Sequence, residues 1–182
     1  LRDVLVDMLG VPVILDNDTN MGAIGEYQFG AGKGVEDLCY VTVSTGMGMG
    51  IMVNGRIYSG YSGSAGEVGH VVAEPGGALC SCGKHGCVMA YASGIGISRM
   101  AYEQIDAGAE TSLRHQMPDN HRRFSVEVIV DAARSGDQVA GDILTIAARY
   151  CGIGLSVVVQ VLSPELIIIG GGLTRMGPLL MD

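Results

Sequence analysis

His70, Cys80, Cys82 and Cys87 fall within eighteen residues, in the stretch GEVGHVVAEPGGALCSCGKHGCVMA at positions 66–90. Soft thiolates from Cys80, Cys82 and Cys87 with the imidazole of His70 are the ligand set of a closed, structural zinc site: the ion takes four ligands in a tetrahedron, and no position stays open for a substrate. Gly83 and Gly86 let the backbone turn tightly enough for the sulfurs to converge. Zinc in small sites of this kind contributes about 10–16 kcal/mol of apparent binding energy, enough to order a loop with little core of its own. The bland alternative is that these Cys are reduced, buried and unligated. His85 is a rival imidazole, but its place between Lys84 and Gly86 predicts a solvent-facing turn. Cys39 and Cys151 lie far from the cluster and read as core residues of a strand and a helix.

A second set is DNDTN at 16–20, which follows the apolar run VPVILD at 11–16, read as a strand buried on both faces. Open α/β sheets hold ligands at the carboxyl ends of their strands, where the carboxylate of Asp18 could accept a hydroxyl proton. Asp16, Asn17 or Asp18 could equally do no more than cap the helix that follows. VSTGMGMGI at 43–51 reads as a strand running into a Gly-rich turn, whose NH groups, with the hydroxyls of Ser44 and Thr45, could hold phosphate oxygens. A glycine-rich hairpin corner without a ligand has the same sequence. IIIGGGL at 167–173 is ambiguous in the same way.

Positioning these residues requires regular elements. LRDVLVDMLG reads as the end of an amphipathic helix closed by Gly10, and MGAIGEYQFG as a helix after its caps. LCYVTV at 38–43 is a strand, and GIMV, Asn54-Gly55 and RIYS form a hairpin. Residues 92–105 and 125–136 read as helices, with the polar QMPDNHRR between them as a loop, and residues 137–164 as one long helix stopped at Pro164. ELIIIGGGLTRMGPLL closes the chain with a buried strand, the triple glycine and the start of another helix. The order implies an α/β sandwich with a mixed sheet and flanking helices. Composition agrees: of 182 residues, 48% are apolar and 29 are Gly, so tight turns and close backbone approaches are expected to dominate.

A net charge of −8, with no basic run beyond Arg122-Arg123, excludes a nucleic-acid footprint on this segment. An odd count of five Cys, three of them close together, favours a reducing compartment over a disulfide framework. LRDVLVDMLG lacks the pattern of a signal peptide, and the apolar stretch at 152–162 is too short to cross a bilayer and contains Gln160. The expectation is a soluble, cytoplasmic protein without a membrane or nucleic-acid partner.

In order and spacing, DNDTNMGAIGE, STGMGMGIMVNG, GSAGEVGH with CSCGKHGC, and IIIGGGL resemble the ROK family of sugar kinases and sugar-responsive repressors, over nearly the whole chain. The resemblance implies an actin-like ATPase fold of RNase H-like lobes around a cleft. It makes residues 1–182 mostly the C-terminal lobe, expected to be cut at both ends, with 66–90 as a zinc-binding and sugar-contact loop. The family's N-terminal DxGGT-like phosphate turn is absent from this sequence. Asp18 matches the catalytic base; Asn17, Glu67 and His70 match sugar ligands, His70 holding zinc through its other nitrogen together with Cys80, Cys82 and Cys87. Thr45, Gly46 and Gly48 match the second phosphate loop, and Gly170, Gly171 and Gly172 the turn near adenosine. The implied reaction is transfer of the γ-phosphate of ATP to a sugar hydroxyl, with Mg²⁺ on the phosphates and structural Zn²⁺, in a homodimer or homotetramer. An alternative is the sugar-sensing lobe of a repressor whose DNA-binding domain lies outside this segment; a third is a non-catalytic sugar-binding subunit. One departure stands out: the family carries Glu two residues after the last zinc Cys, where it contacts the sugar, and this chain has Met89, whose thioether accepts no strong hydrogen bond.

Overall fold

The computed structural model describes residues 1–118 and 123–177. Four strands form the sheet: β1 (Leu38–Val43), β2 (Met47–Val53), β3 (Arg56–Ile57) and β4 (Leu166–Gly170), in the order β3-β2-β1-β4. β1 pairs antiparallel with β2 and parallel with β4, so the sheet is mixed, as expected. The register sets Thr42 opposite Gly48 on one side and Gly170 on the other, which brings both glycine-rich segments to one end of the sheet. The turn joining β2 to β3 is Asn54-Gly55, both with positive φ (49° and 69°), the two-residue hairpin expected from its sequence.

Alternation along β1 divides the core. Cys39, Val41 and Val43 face one side, with Met47, Met49 and Ile51 of β2. Leu38 and Tyr40 face the other, with Met52. The first side is covered by helices α3 (Met89–Ala92), α4 (Gly94–Asp106), α5 (Val126–Arg134) and α6 (Gln138–Leu162), and the second by α2 (Asp18–Phe29). A mixed sheet with helices on both faces is the α/β arrangement expected from the sequence. α6 is, by length and composition, apolar enough to cross a membrane, although the apolar run read from the sequence is shorter. Its buried stripe of Ala140, Ile143, Leu144, Ala147, Cys151, Gly154 and Val158 nevertheless belongs to the core, at the spacing of one helix face. Cys39 and Cys151 are buried as expected, and burial pushes Cys39 up to about 11.

Several expectations are corrected. VPVILD is no strand: residues 11–17 are irregular, and Val11, Ile14 and Leu15 are exposed. No strand among the described residues pairs with it, and an apolar run becomes a strand only when a neighbour takes its backbone hydrogen bonds. The helix before it, α1 (Arg2–Leu9), ends at left-handed Gly10 as anticipated but buries no residue. The Gly-rich turn is shorter than read, because Gly48 and Gly50 lie inside β2. α2 crosses so close to β2 that a Cβ at Gly50 would run into the Thr19 carbonyl oxygen, so these glycines serve helix-to-sheet approach. The triple glycine leads to a 3₁₀ turn (Gly172–Met176) in place of the regular helix, and Gln116 of the expected loop belongs to another (Ser112–Gln116). Arg122, the middle of QMPDNHRR and the end of GPLL lie outside the described residues.

Candidate active site

A cleft of about 400 Å³ opens at the sheet end that carries Thr42. Asn17, Asp18 and Thr19 line it from the start of α2, Thr42, Ser44, Thr45, Gly46 and Gly48 from the strand ends, and Gly66 and Glu67 from the segment beyond β3. The choice between capping and chemistry at DNDTN resolves locally. Asn17 is the N-cap of α2, its Oδ1 accepting from the Thr19 NH at 2.9 Å and the Thr19 hydroxyl at 2.6 Å. Asp16 accepts from the Asn20 amide at 2.8 Å and the Asn17 NH at 2.7 Å, bonds that lower its carboxyl below the usual range. Asp18 makes none of these bonds and is exposed on the cleft wall.

The turn at 44–46 is fixed by backbone bonds: the Ser44 NH donates to the Gly46 carbonyl, and the Ser44 carbonyl accepts from the Gly94 NH at the start of α4, both at 2.8 Å. Ser44 and Thr45 also line a second cavity of about 310 Å³, with Gly94, Arg123, Ser125, Glu127 and Gly172 among its walls. Of the triple glycine, Gly172 alone lines this cavity. Gly170 packs on the ring of Tyr40, and Gly171, at φ 94°, lies so close to the Val43 carbonyl that a Cβ would clash. Gly94, Arg123, Ser125 and Glu127 escaped the sequence reading. The available signal was Ser125 before the apolar VEVIV, a helix N-cap whose Oγ accepts from the Val128 NH.

His70, Cys80, Cys82 and Cys87 converge, with one donor atom from each lying within 4.8 Å of the others. His70 Nδ1 is 3.6 Å from Cys80 Sγ, and Cys82 Sγ is 3.7 Å from Cys87 Sγ. Zn–S bonds of ~2.3 Å and Zn–N bonds of ~2.0–2.1 Å give tetrahedron edges of about 3.8 Å between sulfurs and about 3.5 Å from sulfur to nitrogen, so the donor set fits zinc. Burial, and then the crowding of Cys80 and Cys82, push the Cys87 thiol up to about 12. A divalent cation reverses that cost by stabilising the thiolates. The loop reaches this shape through its own ladder, with Cys80 NH to Lys84 C=O at 2.8 Å, Gly86 NH to Ala78 C=O at 2.8 Å and Ala73 NH to Gly86 C=O at 2.8 Å. Gly86 has φ 77°, and a Cβ there would run into the Glu74 carbonyl oxygen, so the residue beside Cys87 must be glycine. His85 is exposed, its Nδ1 2.8 Å from the Gly77 carbonyl, and it stays outside the cluster as expected.

His70 joins the cluster to the cleft. Its Nε2, on the opposite side of the ring from the cluster, is 3.8 Å from Glu67 Oε2 on the cleft wall. Met89, the first residue of α3, is half-buried, with its methyl group 3.6 Å from where a Cβ on Gly46 would stand; it packs behind the turn and does not line the cleft.

Comparison with known proteins covers the whole length. The ROK family model matches residues 1–182. A glucokinase of Halalkalibacterium halodurans is 39% identical over 182 residues, which is 100% of this chain and 55% of the relative. The crystal structure of a ROK family glucokinase from Streptomyces griseus, in complex with glucose and AMPPNP, superposes with a TM-score of 0.85 at 38% identity, covering 100% of this chain and 59% of that one. A xylose repressor of Caldicellulosiruptor bescii is 32% identical over 182 residues, 100% of this chain and 45% of the relative. The chain thus spans about half the length of the relatives it matches.

Proposed function

The chain belongs to the ROK family, and from that premise we propose that it is the sugar-binding and phosphate-binding lobe of an ATP-dependent hexose kinase of the glucokinase type. The observation that carries the reading is the single cleft lined by Asn17, Asp18, Thr45, Gly46, Gly48 and Glu67 together. A sugar held by Asn17, Glu67 and His70 Nε2 would present a hydroxyl to the Asp18 carboxylate. Asp18 would take that proton as the oxygen attacks the γ-phosphorus and ADP leaves, a general-base contribution of roughly 10²- to 10⁴-fold. The Thr45 hydroxyl and the NH groups of Thr45 and Gly46 suit phosphate oxygens, and the cavity bordered by Ser125, Glu127 and Gly172 suits the nucleoside. Mg²⁺ arriving with the nucleotide would neutralise phosphate charge, with the Thr45 hydroxyl as an oxygen donor on the cleft wall.

Zinc on His70, Cys80, Cys82 and Cys87 would be structural, since all its positions are filled by protein. Holding Nδ1, it would fix the ring so that Nε2 faces the sugar beside Glu67. Glucokinase relatives at 39% and 38% identity support the kinase reading over a repressor lobe, for which the 32% identical xylose repressor is the supporting observation. A coupled ADP-release assay on the full-length protein, run over hexoses and N-acetylhexosamines, separates the two. The kinase turns over at least one sugar and loses that turnover in Asp18→Asn. Sugar binding without any turnover would establish the sensing lobe instead.

A further inference from the structure

Residues 71–87 carry three of the four cluster ligands, yet only Cys80, Gly86 and Cys87 among them are buried. Beside the loop stand Tyr91, on α3, and Tyr150, on α6 one residue before buried Cys151. Their rings stack with centroids 3.9 Å apart and planes inclined by 12°. The Tyr91 hydroxyl accepts from the Ala78 NH at 2.7 Å, two residues before Cys80. The Tyr150 hydroxyl donates to Glu74 Oε2 at 2.5 Å. Glu74 in turn has its backbone against Gly86, whose carbonyl accepts the Glu74 NH at 3.1 Å, next to Cys87. Arg99 braces the pair, its guanidinium carbon 5.7 Å from the centre of the Tyr91 ring while one nitrogen donates to the Ala90 carbonyl at 3.1 Å.

We infer that Tyr91, Tyr150 and Glu74 are positioning residues of the metal loop: the stacked tyrosines tie its first arm, at Ala78 and Glu74, to α3 and α6, and through the Gly86 carbonyl that the Glu74 NH meets they hold Cys80 and Cys87 in register with His70. The inference rests on the zinc reading of the cluster. Its physical content is that a self-bonded ladder has a shape of its own but no fixed orientation, and an ion alone lets the loop swing about its ligands. Two hydroxyls on buried or half-buried rings remove that freedom, because each ring is already immobilised by the other.

The test measures how fast bound zinc passes to an excess of a chromogenic chelator. Tyr150→Phe keeps the stack and loses the bond to Glu74, and Glu74→Ala loses the same bond from the exposed side. Each is expected to release zinc about tenfold faster than the unaltered chain. Glu74→Gln, which keeps an acceptor oxygen, restores the slow rate. With Co²⁺ in place of zinc, the thiolate charge-transfer band stays unchanged in all variants, because no ligand has been altered. Release rates in Tyr150→Phe and Glu74→Ala equal to that of the unaltered chain, with metal bound, would overturn the positioning role and leave the zinc reading standing. An unaltered chain that binds neither zinc nor Co²⁺ would overturn both.

Discussion

The turn at 44–46 lines the cleft, the loop at 71–87 reaches it only through His70 and Glu67, and the two are held in different ways. The turn hangs between β1 and β2, its carbonyl bonded to the start of α4, and the strands on either side bury Val41, Val43, Met47 and Met49. Its shape follows from the sheet, and what the strand beside it needs from its sequence is the absence of a side chain at Gly50, where α2 crosses. The loop has almost no core and needs particular atoms: three sulfurs, one imidazole nitrogen and the hydroxyls of two tyrosines. A function shared between such segments has two modes of failure, steric in the sheet and chemical in the loop.

The largest expected effect tests the chemical mode. Cys87→Ala removes a fully buried thiol of the proposed zinc set and should forfeit a substantial part of the roughly 10–16 kcal/mol that a structural zinc contributes. Metal analysis should find less than one ion per chain, and the thermal transition should fall or broaden; one zinc per chain with an unchanged Tm would remove the contrast between the segments. Asp18→Asn comes next, with kcat reduced about 10²- to 10⁴-fold. Zinc content and Tm should hold, because Asn17 and Asp16 make the capping bonds of α2. Gly50→Ala tests the steric mode: its Cβ meets the Thr19 carbonyl and pushes α2, with Asp18, away from β2. A loss of about 1–3 kcal/mol in denaturant unfolding and a lower kcat are expected with metal content intact.

The smallest effect lies outside both segments. Burial pushes the Asp137 carboxyl up, but bonds from the Ser112 hydroxyl, the Ala140 NH, the Thr111 hydroxyl and the Ser112 NH outweigh it and bring it down to about 2. Its folded value lies below the unfolded one of 3.8, so the contribution is complete above that pH and is lost as pH falls towards 2. Asp137→Ala, removing the N-cap of α6, should cost about 1 kcal/mol at neutral pH and flatten the acid limb of the stability profile, without altering zinc release or KM.

Much of the site was legible because its signals are local. Cys80, Cys82 and Cys87 announce a thiolate cluster by type and spacing, and the polar residues of DNDTN announce a helix start. The cluster geometry and the Asn17 cap agree with both readings. VPVILD misled because apolar runs are equally compatible with a paired strand and with an unpaired segment. Gly48 and Gly50 misled because alternating glycines describe both a turn and a strand under a close helix. Tyr91, Tyr150 and Glu74 gave no signal, since their relation spans 76 residues between Glu74 and Tyr150.

By itself the sequence determined what local energies decide: where helices cap and stop, where Asn54-Gly55 turns, and which donor atoms are available for a metal. Only the tertiary structure decided which atoms meet, turning His70 Nδ1 to the sulfurs and Nε2 to Glu67, and setting Thr42 between Gly48 and Gly170. Caps and turns are settled within a few residues of chain, whereas a cleft is assembled from segments whose mutual distance is fixed by the packing of the sheet and helices between them.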